Sequence, residues 1–337
     1  MKKILITGGA GLIGSALNKE LVGQGYGVVS CDIRFNDNPL SFFSQEIKPL
    51  LAQCSGIIHL AAISRVIHGE EHPELCQEVN VDGTIKLLEF YKDLPHKPWF
   101  IYGSSREVYG QQETLPVSEN APLKPVNNYA RGKVLIEQQV SGLREFGFNT
   151  AILRFSNVYG GMLDHYDRVI PAFCLKALRG EQIRIEGKEC VFDFTHLEDV
   201  VGGIALAVGV LQKGAPLESA IHFTGGRGCN LEELANMILK ITESNSQINY
   251  YPARNFDVGR FYGDYSMATK LLGWRPQYSL EEGLHKFIYD IQHHSVNCPY
   301  NVGMRVYENI ESYSWLPTIL QCGIRNIHSD ALAETGR

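Results

Sequence analysis

Tyr129 and Lys133 stand four residues apart in a stretch whose apolar residues recur at helical intervals. Residues at i and i+4 share a helix face, so a phenol and an ammonium at this spacing can act as a unit. A free phenol titrates near ~10, and each unit of downward shift requires ~1.36 kcal/mol of preference for phenolate. A nearby cation supplies that preference and turns tyrosine into a general base near neutral pH. A second constellation is Gly8-Gly9-Ala10-Gly11-Leu12-Ile13-Gly14. Gly8 permits a tight turn, Gly11 lets backbone approach a pyrophosphate, and Gly14 allows close packing of helix on strand. The helix start at Leu12 and Ile13 then faces the anion. Asp32 closes the next apolar run, where a carboxylate accepts hydrogen bonds from ribose hydroxyls and repels a 2′-phosphate. The pattern predicts a dinucleotide site and favours NAD over NADP, although Arg34, two residues on, is a cation that could accommodate the extra phosphate.

Such residues must be brought together by the ends of several strands. Short β-branched runs at 3–7, 28–32, 57–61, 99–103 and 150–154 alternate with amphipathic stretches, the pattern of βαβ units around a parallel sheet. Segments 12–22, 73–91 and 128–146 read as crossover helices, with Pro73 suited to a first turn. The expected fold is α/β: a doubly wound parallel sheet of the Rossmann kind over residues 1–160, with later returns to the sheet left open. A smaller C-terminal α/β substrate-binding lobe is expected mainly over 161–294. It would contain a helix at 171–178, strands near Ile183 and Ile221, and helices near Leu231 and Leu280. Residues 295–337 carry neither strong periodicity nor low-complexity bias and are assigned only as a C-terminal extension.

Composition narrows the function classes. With 44% hydrophobic residues, 20% charged residues and a net charge of −6 over 337 residues, no basic excess invites nucleic acid or an anionic membrane. The longest apolar stretch, 200–211, is interrupted by glycines and falls short of the ~18 residues that suggest a membrane span. A buried helix is expected there. The apolar run after Met1-Lys2-Lys3 is broken by Gly8-Gly9 too early for an export signal, so a cytoplasmic location is expected. The 8 cysteines lack Cys-x-x-Cys spacing, which predicts reduced, mostly buried thiols and no metal site.

Two further segments complete a pattern: 103–110, Gly-Ser-Ser-Arg-Glu-Val-Tyr-Gly, at a strand end, and 153–160, Leu-Arg-Phe-Ser-Asn-Val-Tyr-Gly. Together with the glycine turn and the Tyr-x-x-x-Lys pair, they make the chain resemble the extended short-chain dehydrogenase/reductase family over about residues 1–290. The nucleotide-sugar epimerase/dehydratase branch is the closer match. The resemblance implies NAD as cofactor and a nucleotide-diphosphate sugar as substrate. It implies that Ser105, four positions before the Tyr-Gly pair, holds the substrate hydroxyl, with Ser104 as second candidate. Tyr129 would take the proton while hydride leaves a sugar carbon, usually C4, and Lys133 would also bind the nicotinamide ribose. His59-Leu60-Ala61-Ala62 resembles the strand-end motif lining the cofactor, with plain packing as the alternative for His59. Asn80 matches a recurrent Asn, Asn157 a nucleotide-sugar contact, segment 169–173 a helix that cups the base, and Arg254 a pyrophosphate ligand. Phe192 stands where relatives carry a second phosphate-gripping Arg, and Arg184, Lys188 and Arg260 are candidates to replace it.

Glu107 is ambiguous. Members of the resembled family that dehydrate or decarboxylate sugars carry Glu here, and a carboxylate could remove the C5 proton of a 4-keto sugar. The 4,6-dehydratases pair it with an acid where this chain has Arg106, which cannot donate a proton at neutral pH. A structural Glu paired with Arg106 is the alternative. The resulting expectation is an NAD-dependent nucleotide-sugar 4-epimerase working through a transient 4-keto sugar. Dehydratase, decarboxylase, net dehydrogenase or reductase, and a non-catalytic dinucleotide-binding scaffold are the other readings. A homodimer is expected.

Overall fold

Strands buried on both faces have no solvent side to alternate with, and the continuous β-branched runs of the first half fold accordingly. The computed structural model describes residues 3–293, so Cys298, Cys322 and the extension at 295–337 lie outside the described residues. In chain order the strands are β1 (Lys3–Thr7), β2 (Gly27–Cys31), β3 (Cys54–His59), β4 (Trp99–Ser105) and β5 (Thr150–Phe155). Next come β6 (Asn157–Tyr159), β7 (Ile183–Glu186), β8 (Val191–His196), β9 (Ile221–Phe223), β10 (Gly228–Asn230) and β11 (Ile248–Tyr251). The main sheet runs β2-β1-β3-β4-β5-β9 and is parallel throughout. The chain leaves β1 in one direction and returns to β3 on its other side, so a crevice opens beyond the carboxyl ends of these two strands. This is the doubly wound α/β architecture.

Helices Leu12–Gly23 and Leu197–Gln212 cover one face, burying Ile4, Ile6, Leu17, Leu21, Ile204 and Val208. Helices Gly83–Lys92 and Asn128–Gly142 cover the other, over Leu5, Ile57, Leu87, Phe100, Ile136 and Val140. Segment 200–211 thus forms a buried helix, and no helix among the described residues is long and apolar enough to cross a membrane. The segment expected as one helix over 73–91 is instead Pro73–Gln77, a π-helical turn Glu78–Asp82, and Gly83–Lys92. Periodicity does not register this turn, because buried positions such as Cys76, Asn80, Thr84 and Leu88 still recur at helical intervals through it. Asn80 sits in this turn, and its amide pairs with both the N–H (2.8 Å) and the C=O (2.9 Å) of Ile63. The strand near Ile221 joins the edge of the main sheet beside β5 rather than the smaller lobe.

The smaller lobe holds the sheet β10-β8-β6, the pair β11-β7, and helices Val169–Leu178, Leu231–Thr242 and Leu280–His293 around Ile183, Phe194, Leu234 and Phe287. Helix Leu231–Thr242 starts with a reciprocal capping box between Asn230 and Glu233. Among the described residues Cys31, Cys54, Cys76, Cys174 and Cys229 are free and buried, Cys190 is free and partly buried, and no group of side chains could hold a metal.

Asp193 on β8 joins the lobes. Its Oδ1 accepts from the Ser156 hydroxyl (2.9 Å) and the Gly225 N–H (2.6 Å), and its Oδ2 from the N–H groups of Gly226 (2.9 Å) and Gly263 (3.2 Å). With Asp193 fully buried, removing the carboxylate strands the N–H groups of Gly225, Gly226 and Gly263, while Ser156 keeps its contact with Thr195. Asp193→Ala is expected to lower unfolding free energy by about 2–5 kcal/mol, read as a lower urea midpoint at unchanged slope.

Candidate active site

The glycine turn leaves no space for side chains. Gly8 has φ +75°, and a Cβ there would lie 2.7 Å from the Ala61 nitrogen; a Cβ on Gly14 would lie 2.2 Å from the Gly8 carbonyl oxygen. The helix starting at Leu12 can therefore sit directly over the β1 end, with Leu12 and Ile13 lining the crevice beside Gly11. Asp32 follows β2 and accepts from the Ala10 N–H at 3.1 Å through Oδ2. Arg34 forks onto the same carboxylate, Nε to Oδ1 at 3.1 Å and Nη2 to Oδ2 at 3.0 Å. The cation that the sequence offered to a 2′-phosphate is thus held by the group that would repel one. Leu60, Ala61 and Ala62, just past β3, form the opposite lip. From here a cleft of about 1270 Å³ extends between the lobes. Single-ligand pockets hold roughly 300–1,000 Å³, so the cleft has room for a dinucleotide and a second ligand.

Ser105, Tyr129, Lys133 and Glu107 all reach this cleft. Ser105 ends β4, where its Oγ accepts from the Glu107 N–H at 3.2 Å and acts on the Tyr129 phenol to lower its pKa. Ser104, the second candidate, donates to Glu137 Oε1, inside a buried network in which Arg154 also grips Glu137 and contacts Tyr109. Tyr129 lies in the first turn of helix Asn128–Gly142, which Asn127 caps by accepting from the Ala130 N–H at 2.8 Å. Lys133 Nζ donates to the Gly103 carbonyl at 2.8 Å and lies 5.7 Å from the Tyr129 ring centroid. Burial pushes the Tyr129 phenol well above the usual tyrosine range, opposed by the Ser105 hydrogen bond and reinforced by the Glu107 charge. The downward shift expected from Lys133 does not appear in the protein alone, where burial dominates. Burial also lowers Lys133 to about 8.

Glu107 is paired. Its Oε1 meets Arg106 Nη2 at 2.7 Å and its Oε2 accepts from Asn127 Nδ2 at 3.0 Å. Phe192 faces this pair, its ring centroid 5.1 Å from the Arg106 guanidinium carbon. On the smaller lobe, Asn157 and Arg254 line the cleft; Asn157 donates to the Asp193 carbonyl (3.0 Å) and Arg254 Nε to Asp257 (2.8 Å). Arg184 also lines it, stacked on Tyr251 at 3.8 Å, whereas Lys188 pairs with Glu232 at 3.1 Å and neither it nor Arg260 contributes to the lining. His59 is buried between Thr7 (2.7 Å) and Thr84 (3.0 Å), and burial lowers it to about 3, which is the packing alternative. Sequence reasoning missed Asn127, although an Asn directly before a helix is a capping signal. It also missed the Arg65–Asp167 ion pair, which joins two sides of the cleft and has no local signature.

Against this geometry, the NAD-dependent epimerase/dehydratase family matches residues 4–219. The chain belongs to this family. Three similar proteins illustrate its range. The Xenopus tropicalis UDP-glucuronic acid decarboxylase 1 is 28% identical over 320 residues, covering 88% of this chain and 74% of that protein. The UDP-glucose 4-epimerase of Thermotoga maritima, solved with UDP-glucose, superposes with a TM-score of 0.79 at 30% identity, covering 87% of this chain and 99% of that one. The UDP-glucuronic acid 4-epimerase of Bacillus cereus, solved with UDP-glucuronic acid and NAD, has a TM-score of 0.79 at 25% identity over 87% and 99% of the two chains. The cofactor of this family member is NAD, and the cradle fits it: a Cβ at Gly8 or Gly14 would collide with backbone, and Asp32 stands at the β2 end.

Lys133 gives a test of the buried site. Its folded value of about 8 lies below the unfolded value of 10.5, so the unfolded chain holds more protons between these limits. The desolvation cost is present in full below pH 8 and is relieved as pH rises toward 10.5, by at most about 1.4 kcal/mol per pH unit. In urea titrations without NAD, the stability of wild type relative to Lys133→Met is expected to rise across this window. A flat or falling difference contradicts the assignment.

Proposed function

We propose that the chain is an NAD-dependent nucleotide-sugar 4-epimerase that oxidises a sugar carbinol, holds the 4-keto sugar, and reduces it from the opposite face. The observation that carries this is the meeting of the Ser105 hydroxyl, the Tyr129 phenol and the Lys133 ammonium in one cleft with the glycine turn. In this reading Ser105 orients the C4 hydroxyl and Tyr129 takes its proton and later returns it. Lys133 holds the nicotinamide ribose, and its bond to Gly103 fixes the helix against β4. NAD supplies the hydride acceptor and, while oxidised, a positive charge that favours the Tyr129 phenolate. Gly8, Gly11, Leu12, Ile13, Gly14, Asp32, Leu60, Ala61 and Ala62 would cradle it, and Asn157 and Arg254 would hold the nucleotide diphosphate, with Arg184 as the further cation.

Residues 1–160, with the later helix and strand within 197–223, would serve the cofactor, and the rest of 161–294 the substrate. A cytoplasmic homodimer completes the proposal: the free, mostly buried thiols favour a reducing compartment, and two-fold dimers are the commonest closed assembly. The second reading, decarboxylation or dehydration, is favoured by the presence of the Glu107 carboxylate in the cleft.

Incubation with UDP-, GDP-, CDP- and dTDP-sugars followed by mass spectrometry separates these readings. A new isomer of unchanged mass, with no steady gain in reduced-nicotinamide absorbance, is expected; loss of water or carbon dioxide supports the second. Tyr129→Phe should lower kcat by about 10²–10⁴-fold while NAD still binds, as read by tryptophan quenching. Equal turnover by variant and wild type removes the proposed base.

A further inference from the structure

We infer that Arg106 is a positioning residue that withholds the Glu107 carboxylate from the sugar, so that the 4-keto intermediate leaves as an epimer and is not carried, through loss of its C5 proton, into elimination. The inference rests on the nucleotide-sugar reading above. The family covers both epimerases and dehydratases, so something in each cleft must decide the fate of the ketone once the first oxidation is complete. Glu107 is placed to matter: it lines the cleft two residues beyond Ser105, near enough to Tyr129 for its charge to act on the phenol.

Both carboxylate oxygens are engaged, Oε1 by the Arg106 guanidinium at 2.7 Å and Oε2 by Asn127 at 3.0 Å. The two ionic side chains are only 8% and 7% exposed, so water cannot replace either partner. Were Glu107 to accept a proton, the Arg106 cation would be left buried without its counter-charge. The guanidinium has little freedom to move with it, since Phe192 and Phe261 flank it at 5.1 and 5.7 Å and Nη1 contacts the Val258 carbonyl at 3.4 Å. Asn127 is equally committed, because it caps the helix that carries Tyr129. The clamp is therefore built on the same helix start that presents the base.

The suppressed step is specific. Next to a C4 ketone, the C5–H bond breaks, its electron pair enters the enolate of that ketone, and the proton goes to a Glu107 oxygen. Re-protonation in heavy water would leave deuterium at C5.

The test uses the full-length protein with NAD, supplied with UDP-glucose or UDP-glucuronic acid in D₂O, with C5 label and C4 inversion monitored together by NMR. Wild type is expected to invert C4 without C5 label. Arg106→Gln should raise label per C4 inversion by at least about tenfold, and Arg106→Gln/Glu107→Gln should abolish the gain. Should the Gln variant fail to fold, Arg106→Lys, which keeps the charge and loses the fork, should show a smaller gain in the same direction. C5 label in wild type at the rate of inversion overturns the inference. So does a folded, active Arg106→Gln, or Arg106→Lys in its place, that gains no label. Absence of any wild-type turnover on the whole panel of nucleotide sugars counts against the epimerase reading itself, which separates the two failures.

Discussion

Lys133, Arg106 and Glu107, which line the cleft, and the Glu137–Arg154 pair on the same helix and on β5 are almost out of reach of water, and a charge in that position must be paired, neutralised or held by oriented dipoles. Each solution adopted here also fixes geometry. Lys133 leans on the Gly103 carbonyl and so ties its helix to β4. The Glu137–Arg154 pair ties the same helix to β5, and Tyr109, which Arg154 contacts, reaches on to His222 beside the main sheet's edge. Asp193 binds the turns of the smaller lobe to the end of β5 in the same manner. The position of the reactive groups is thus a by-product of satisfying desolvated charge.

Desolvation also sets the resting chemistry. The buried phenol of Tyr129 stands above the ordinary tyrosine range, and the ammonium that shares its helix face is itself pushed down by burial, so the protein alone favours a neutral phenol. In the proposed role, its use as a base would then depend on positive charge arriving with the oxidised cofactor. Base activation would be coupled to cofactor occupancy and oxidation state.

Much of this is legible in the residues because it is written locally. The strand runs, the glycine turn, Asp32 at a strand end and the four-residue spacing of Tyr129 and Lys133 each occupy short segments whose meaning derives from periodicity or sterics. The features that escape such a reading depend on partners remote in the chain. Pairing of Glu107 with Arg106 can be read as one of two alternatives, but the closing contacts from Asn127, Phe192 and Phe261 come from three other segments. The Arg65–Asp167 pair joins residues with no common pattern. The π-helical turn at Glu78–Asp82 is invisible because buried positions keep helical intervals on both sides of it and within it. The sign of the Tyr129 shift runs against expectation for a related reason: spacing reveals a neighbouring cation but not the depth at which the pair is buried.

Helix Leu197–Gln212 and β9 complete the main sheet after the chain has already contributed β6, β7 and β8 to the smaller lobe. The half built on the main sheet is therefore not one continuous stretch of polypeptide, and a cut near residue 160 would expose the flank of β5 and the apolar side of helix Leu12–Gly23 together. Transfer of this half to another chain would have to graft at least two separated segments at once.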